Sequence, residues 1–425
     1  MTIEQLHQIF LQYPQVCTDT RKITPNCIFF ALKGENFNGN DYASQAVESG
    51  ASFAVVDNAE VAKENKMILV NDVLKTLQSL SRFHRNYCKA KVIGLTGSNG
   101  KTTTKELITA VLSTKYKTVA TKGNLNNHIG VPLTLLSIKN DTEIAVVEMG
   151  ANHLKEIEFL CGIAEPDYGY ITNFGKAHLE GFGSEEGVIK AKSELYNYLI
   201  DNNKPIFFNA DDPIQRSKIE PVIKKYGYSQ DNSQYYNIKL VDADPFVKLE
   251  VEDITITSQL IGRYNFSNCC AAILIGKYFS LDLKEIKQGI ENYIPQNNRS
   301  QIIHKNGHHI ILDAYNANPT SMKAALENFK EISGDYKIVF LGDMFELGSL
   351  AEKEHQYISD LAIAMDFSEI NLIGENFFTT NNTLKKFKSF DELRQSLQDT
   401  PIPQSATILI KGSRGMALER ILDLL

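Results

Sequence analysis

Short apolar runs alternate along this chain with stretches whose apolar side chains recur every three or four positions. The runs Cys27–Leu32, Phe53–Val56, Met67–Val70, Ile144–Val147, Tyr168–Thr172, Ile206–Phe208, His309–Asp313, Lys337–Leu341, Glu369–Ile373 and Thr407–Ile410 predict strands. Helical spacing occurs over Glu4–Leu11, from Thr320 onward, over Ala351–Met365 and in a closing helix from Met416. Strands separated by helices predict an α/β fold with mostly parallel, doubly wound sheets. The pattern divides into segments 1–85, 86–299 and 300–425, with the polar Pro-Gln-Asn-Asn run at 295–298 as a hinge. Ligands of such sheets bind beyond the carboxyl ends of the strands. Glu148, Asn173, Asp313, Asp343 and Lys411 stand at such ends.

One junction carries specific chemistry. Val92 to Leu95 is an apolar strand, and Thr96-Gly97-Ser98-Asn99-Gly100-Lys101-Thr102-Thr103 turns from it into a helix. Backbone N–H groups in such a turn converge where the helix adds partial positive charge. Lys101 supplies a mobile cation and Thr102 a hydroxyl for Mg²⁺, so a nucleoside triphosphate is the expected ligand. The strict GxxxxGK[ST] pattern wants glycine at Leu95, and here Gly94 stands one place early. What remains is the shorter Gly-x-x-Gly-Lys-Thr.

Composition limits the partners. The chain has 425 residues, 43% apolar and 22% charged, as in soluble multidomain proteins. A net charge of −7 implies no broad basic face, which disfavours nucleic acid and anionic membrane. No apolar run approaches the ~20 residues of a spanning helix, so membrane insertion is not expected. Met-Thr-Ile-Glu-Gln-Leu-His lacks the features of a secretory signal. The six cysteines show no paired or metal-binding spacing and read as core residues of a cytoplasmic protein.

Several other groups have two readings each. Glu148 ends an apolar strand, where a carboxylate is costly unless paired or metal-bound; it is a Mg²⁺ ligand or a cap of the next helix. His178, after the strand ending near Thr172, is a ligand or a solvated or core side chain. Lys190 and Lys192 lie in a helical stretch of mixed charge and read locally as a solvated face. The amides of Gly123–Pro132, among them Asn127, and of Gly262–Asn268 either satisfy turns or hold a peptide-like substrate. Asp313–Met322 ends a strand and caps a helix at its Asn-Pro step.

Together these segments resemble the Mur ligases of bacterial cell-wall synthesis, nearly end to end. The resemblance runs from Thr18-Asp19-Thr20-Arg21, through the phosphate loop, Glu148, Asn173–His178, Ala191-Lys192, Asn265 and Asn268, to Arg299, Asp313 and Lys411–Gly415. Asp-Ala-Tyr-Asn-Ala-Asn-Pro-Thr-Ser-Met (313–322), Leu-Gly-Asp-Met-Phe-Glu-Leu-Gly (341–348) and the 123–136 segment are similar to the members that add D-alanyl-D-alanine. The Asp-Asn-Pro-Arg of the diamino-acid-adding relative is absent, and a folylpolyglutamate synthetase should lack the Asn-Ala-Asn-Pro block.

The resemblance implies three α/β domains: an N-terminal one for the UDP-sugar, a central P-loop ATPase and a C-terminal Rossmann-like one. It implies ATP-dependent joining of D-alanyl-D-alanine to UDP-N-acetylmuramoyl-tripeptide by way of an acyl phosphate, by a monomer. Thr96 to Thr103 would hold ATP, with Asn268 on adenine and Arg299 and Asp313 on phosphate and ribose. Thr102, Glu148, His178 and Lys192 match metal-site residues, and Lys192 matches a lysine carried as a carbamate. Catalysis is thereby expected of Lys101, Lys192, His178 and Glu148. Thr20, Arg21, Lys33, Gly34, Asn36 and Asn38 look like the uridine-nucleotide region. By location, Asn127, Asn316, Asn318 and Arg414 are expected to hold substrate.

Overall fold

Three α/β sheets follow one another along the chain in the computed structural model, which describes residues 1–425 apart from Glu64, Pro221, Asn297 and Gln404. Of the expected hinge at 295–298, Asn297 lies outside the described residues. The first sheet is wholly parallel, in the order Gln15–Cys17, Cys27–Phe30, Phe53–Val56, Met67–Leu69. Helices Ile3–Gln12 and Val73–Tyr87 cover one face, and Ala43–Glu48 covers the other. Val73–Tyr87 buries Val73, Leu77, Leu80 and His84 at helical spacing. From its last turns Arg85 pairs with Asp167 at 2.8 Å, which ties the first sheet to the second.

The second sheet has seven parallel strands in the order Tyr236–Asn237, Lys225–Ser229, Ile206–Asn209, Tyr168–Ile171, Lys91–Thr96, Ile144–Glu148, Thr118–Ala120. Its central strands are near-continuous apolar runs because helices pack on both faces. The chain winds outward in both directions from Lys91–Thr96, so a crevice opens at the carboxyl end of that strand.

The third sheet has the order Gln301–Lys305, His308–Asp313, Thr407–Lys411, Lys337–Gly342, Glu369–Ile373, Lys385–Phe387 and is parallel except for its first hairpin. Asn318 caps helix Pro319–Glu331 in a reciprocal box with Ser321, as the Asn-Pro step predicts. Two features differ from the sequence reading. The closing segment is not an α-helix: Arg414–Met416 and Leu418–Leu424 are 3₁₀ turns, separated at Ala417 by a left-handed residue with φ 48°. A three-stranded antiparallel sheet, Lys239–Asp242, Phe246–Val251 and Ile254–Ile261, lies beside the central sheet and was not anticipated.

Candidate active site

The phosphate loop begins where strand Lys91–Thr96 leaves the sheet. Gly97 has φ 142°, and a Cβ there would meet the Thr172 hydroxyl at 1.9 Å. Gly100 has φ 77°, and its Cβ would meet Asn268 Oδ1 at 2.6 Å. Glycine is therefore required at both positions by backbone conformation and by close approach. Lys101 opens helix Lys101–Leu112 and folds back so that Nζ donates to Gly97 O at 2.8 Å and Ser98 O at 3.2 Å. Desolvation draws its proton affinity down, opposed by the Glu148 carboxylate. A bound polyphosphate would reverse that shift.

Thr102 and Glu148 meet beneath the loop, Oγ1 donating to Oε2 at 3.1 Å. Asn126 Nδ2 donates to Glu148 Oε1 at 2.9 Å, and the buried Lys105 ammonium lies 3.7 Å from Oε2. A hydroxyl beside a carboxylate is a hard oxygen pair of the kind that holds Mg²⁺ together with substrate phosphates. Among the described residues no three His, Cys, Asp or Glu side chains converge as a protein-only metal cage.

The third sheet faces this loop. Asp313 accepts from Lys411 Nζ at 2.5 Å and from the Ser300 N–H at 3.1 Å. The Arg299 guanidinium stacks on the Tyr315 ring at 3.7 Å. Asn318 Nδ2 donates to Asn99 Oδ1 at 2.7 Å, Thr320 Oγ1 accepts from the Lys176 N–H at 2.9 Å, and Glu346 pairs with His178. His178 itself is left-handed, with φ 53°. The cleft between this sheet and the loop measures about 980 Å³. Ser98 Oγ, Asn99 Nδ2 and Arg299 Nε are buried without a hydrogen-bond partner, and all three residues line the cavity. Buried orphans of this kind call for a ligand.

Of the expected site residues, Ser98, Asn99, Gly100, Lys101, Thr102, Thr103, Asn127, Glu148, His178, Asn268, Arg299, Asp313, Asn316, Asn318 and Arg414 line this cavity. Thr96 and Gly97 stand behind it, the Thr96 hydroxyl donating to Met149 O at 2.7 Å. Lys192 also stands behind it. It is fully buried rather than solvated, its Nζ donating to Ala151 O at 3.0 Å over the Phe182 ring. Burial, reinforced by the Lys101 charge, holds that amine well below the usual lysine range.

Thr20, Arg21, Lys33, Gly34, Asn36 and Asn38 are outside the cavity lining. They follow the carboxyl ends of the first two strands of the N-terminal sheet. Asp19 grips Arg21 in a two-point pair and is drawn down to about 2 by it. Lys33 pairs with Asp57 at 2.9 Å, and Asn38 accepts from the buried Asn40 at 2.8 Å.

Comparison with known proteins bears on this arrangement along its whole length. Profiles of the Mur ligase family catalytic domain, the Mur ligase middle domain and the Mur ligase glutamate ligase domain match residues 12–89, 95–276 and 298–414. The UDP-N-acetylmuramoyl-tripeptide–D-alanyl-D-alanine ligase of Bacillus subtilis is 36% identical over 96% of this chain and 92% of its own length. The chain belongs to the Mur ligase family. The crystal structure of MurF from Acinetobacter baumannii superposes with a TM-score of 0.87 at 30% identity, covering 100% of this chain and 98% of that one. The MurF ligase of Thermotoga maritima in complex with ADP, 24% identical, shares the fold at a TM-score of 0.84 over 97% of each chain.

Within this Mur ligase cavity the structure also places residues that were not singled out from sequence. Tyr315 and Glu346 lie inside recognised motifs, but nothing in their spacing marks them apart from their neighbours. Lys105 and Asn126, which brace Glu148, left only a weaker trace: a charge at helical spacing behind the loop and one amide among several.

Proposed function

We propose that this chain is an ATP-dependent amide ligase that adds D-alanyl-D-alanine to UDP-N-acetylmuramoyl-tripeptide in peptidoglycan precursor synthesis. The observation that carries the reading is the cavity between a P-loop and a facing α/β sheet, in a chain 36% identical to a ligase named for that reaction. The substrate carboxylate attacks the γ-phosphorus and ADP leaves. The dipeptide amine then attacks the acyl phosphate carbonyl, forms the amide and expels phosphate. Carboxylate and triphosphate repel each other, and cations lining the cavity, among them Lys101, Arg299, Lys411 and Arg414, offset that repulsion.

Thr102 and Glu148 would hold Mg²⁺, which when bound neutralises phosphate charge. His178 is a further candidate ligand. Burial of Lys192 favours the uncharged amine, the form that can add carbon dioxide, which supports a carbamate there. We assign the UDP-sugar to residues 1–85, ATP chemistry to 86–299 and acceptor binding to 300–425. The position of Thr20, Arg21 and Lys33–Asn38 at strand carboxyl ends supports the first assignment. Six free, buried cysteines support a cytoplasmic setting, and among the described residues no helix is long and apolar enough to cross a membrane.

The test is phosphate release from ATP by the full chain, with each substrate omitted in turn. Release is expected only when both UDP-tripeptide and D-alanyl-D-alanine are present. Release with a folate or a diamino acid in place of the dipeptide would overturn the assignment.

A further inference from the structure

The acceptor of this reaction carries a cation at one end and an anion at the other. We infer that Glu346 and Arg414 form the two poles that recognise it, Glu346 taking the ammonium and Arg414 the carboxylate. The inference rests on the ligase reading above and adds to it the side chains that orient the dipeptide.

Four carboxylates line the cavity: Glu148, Glu156, Asp313 and Glu346. Three are already committed. Glu148 is held by Thr102, Asn126 and Lys105. Asp313 is held by Lys411 and the Ser300 N–H. Glu156 accepts from the Asn152 and His153 N–H groups at 2.6 and 3.1 Å. Among the described residues Glu346 has one side-chain partner, His178, and its side chain is 51% exposed. Glu346 lines the same cavity as Lys101, the cation of the phosphate loop. An ammonium that took the place of His178 on this carboxylate would be held in the cavity, and after it gives its proton to water the free amine attacks the acyl phosphate carbonyl.

The cations divide in the same way. Lys101 is folded onto the phosphate loop, Lys411 is bound to Asp313, and Lys155 to Glu158. Arg299 is stacked on Tyr315 with its Nε buried. Arg414 is exposed, and among the described residues its guanidinium donates only to the neutral Tyr315 hydroxyl, at 3.1 Å. It therefore has most of its donors available for a carboxylate, which it can hold bidentately.

The two poles are fixed relative to each other. They lie on the loops after strands Lys337–Gly342 and Thr407–Lys411, which are parallel neighbours. The Ser413 N–H donates to Asp343 O at 3.1 Å, and the Phe345 N–H donates to Ser413 Oγ at 3.0 Å. Asp343 in turn accepts from the Asn376 and Phe377 N–H groups, both at 2.9 Å, which anchors the loop that carries Glu346.

Steady-state kinetics on the full chain, with D-alanyl-D-alanine and its C-terminal amide as acceptors, test this. Glu346→Gln is expected to raise KM for the dipeptide about 10- to 100-fold while KM for ATP changes less than ~2-fold. Glu346→Asp should recover part of that loss. Arg414→Gln should raise KM for the dipeptide by a similar factor and leave KM for the amide nearly unchanged, because the amide has already lost the contact. Dipeptide KM unaltered in Glu346→Gln, or equal losses for acid and amide acceptors in Arg414→Gln, overturns the inference. If the unsubstituted enzyme fails to turn over with the dipeptide, the ligase reading itself falls, and this inference with it.

Discussion

Replacement of Gly97 by alanine tests the geometry of the phosphate loop directly. Alanine at φ 142° is held in a region that costs about 1–3 kcal/mol. Its Cβ would also lie 1.9 Å from Thr172 Oγ1 and 2.9 Å from Thr172 N. Thr172 cannot simply retreat, because its N–H donates to Thr96 O at 2.9 Å and its hydroxyl to Asn99 O at 2.6 Å. Overpacking against a pinned neighbour adds about 1–3 kcal/mol. The expected total, roughly 2–6 kcal/mol, would lower local stability ~30-fold or more. Because unfolding of a three-domain chain is not two-state, the assay is hydrogen exchange of the amides in Lys91–Thr96 and Tyr168–Ile171, together with ADP affinity. Thr172→Ala removes the nearest clash and one hydrogen bond worth about 1 kcal/mol. The double variant Gly97→Ala/Thr172→Ala should therefore be less destabilised than the sum of the singles, by about 1–2 kcal/mol. Strict additivity, or exchange and ADP affinity untouched in Gly97→Ala, would show that the loop does not approach Thr172 as described.

Lys101→Ala should lower turnover at least ~100-fold, the scale of losing one electrostatic donor aimed at the reacting group; ATP-dependent phosphate release near the normal rate would refute its role. Lys192→Ala should be nearly inactive and partly restored by short carboxylates such as formate, which stand in for a carbamate; no restoration across a range of acids would count against the carbamate. His7 and His84, buried and in contact at 3.0 Å, both have lowered proton affinity because burial disfavours the charged form. Their unfolded forms take up protons first, so the stability they contribute is present above about pH 6.5 and lost as pH falls below it. The thermal midpoint should drop between about pH 7.5 and 5.5, and His84→Leu should flatten that dependence; an unchanged slope in the variant would show that folding does not alter the proton affinity of His84.

The parts of this fold that were legible in the sequence are those where one local pattern decides the outcome. Buried parallel strands such as Ile144–Glu148 read as unbroken apolar runs, and Asn318-Pro319 announces a helix start by its own chemistry. Phe246–Val251 alternates buried and half-buried residues, a period-two signal that was present but lay between stronger elements. Met416–Leu424 carries helical spacing, yet Ala417 takes a left-handed conformation that propensity does not foretell. Lys192 shows the limit most sharply. Its neighbours Lys190 and Glu194 suggest a wet helix face, and only the packing of Phe182 and Ala151 around it makes the amine dry. Glu346 is a similar case, since its meaning depends on a histidine 168 positions away in the chain.

That long-range pairing bears on how the site works. The central sheet supplies N–H groups, Lys101, Thr102 and Glu148, but these approach a triphosphate from one side only. Arg299, Asp313, Lys411 and Arg414 arrive from the third sheet and the residues that lead into and out of its strands. Around the cavity the two sides are joined by Asn318 to Asn99, Thr320 to the Lys176 N–H, and Glu346 to His178. Each such contact contributes about 0.5–1.5 kcal/mol, more where charged. Their sum is a few kcal/mol, the scale on which a ligand that bridges two domains shifts a conformational equilibrium. A nucleotide seated on Lys101 and reached by Arg299 adds to the joint. An acceptor ammonium that displaces His178 from Glu346 removes one of these ties while placing its own charge there. Closure around the cavity is therefore expected to track substrate occupancy, because these polar ties alone are too weak to fix it and the groups that strengthen it are those that bind ligand.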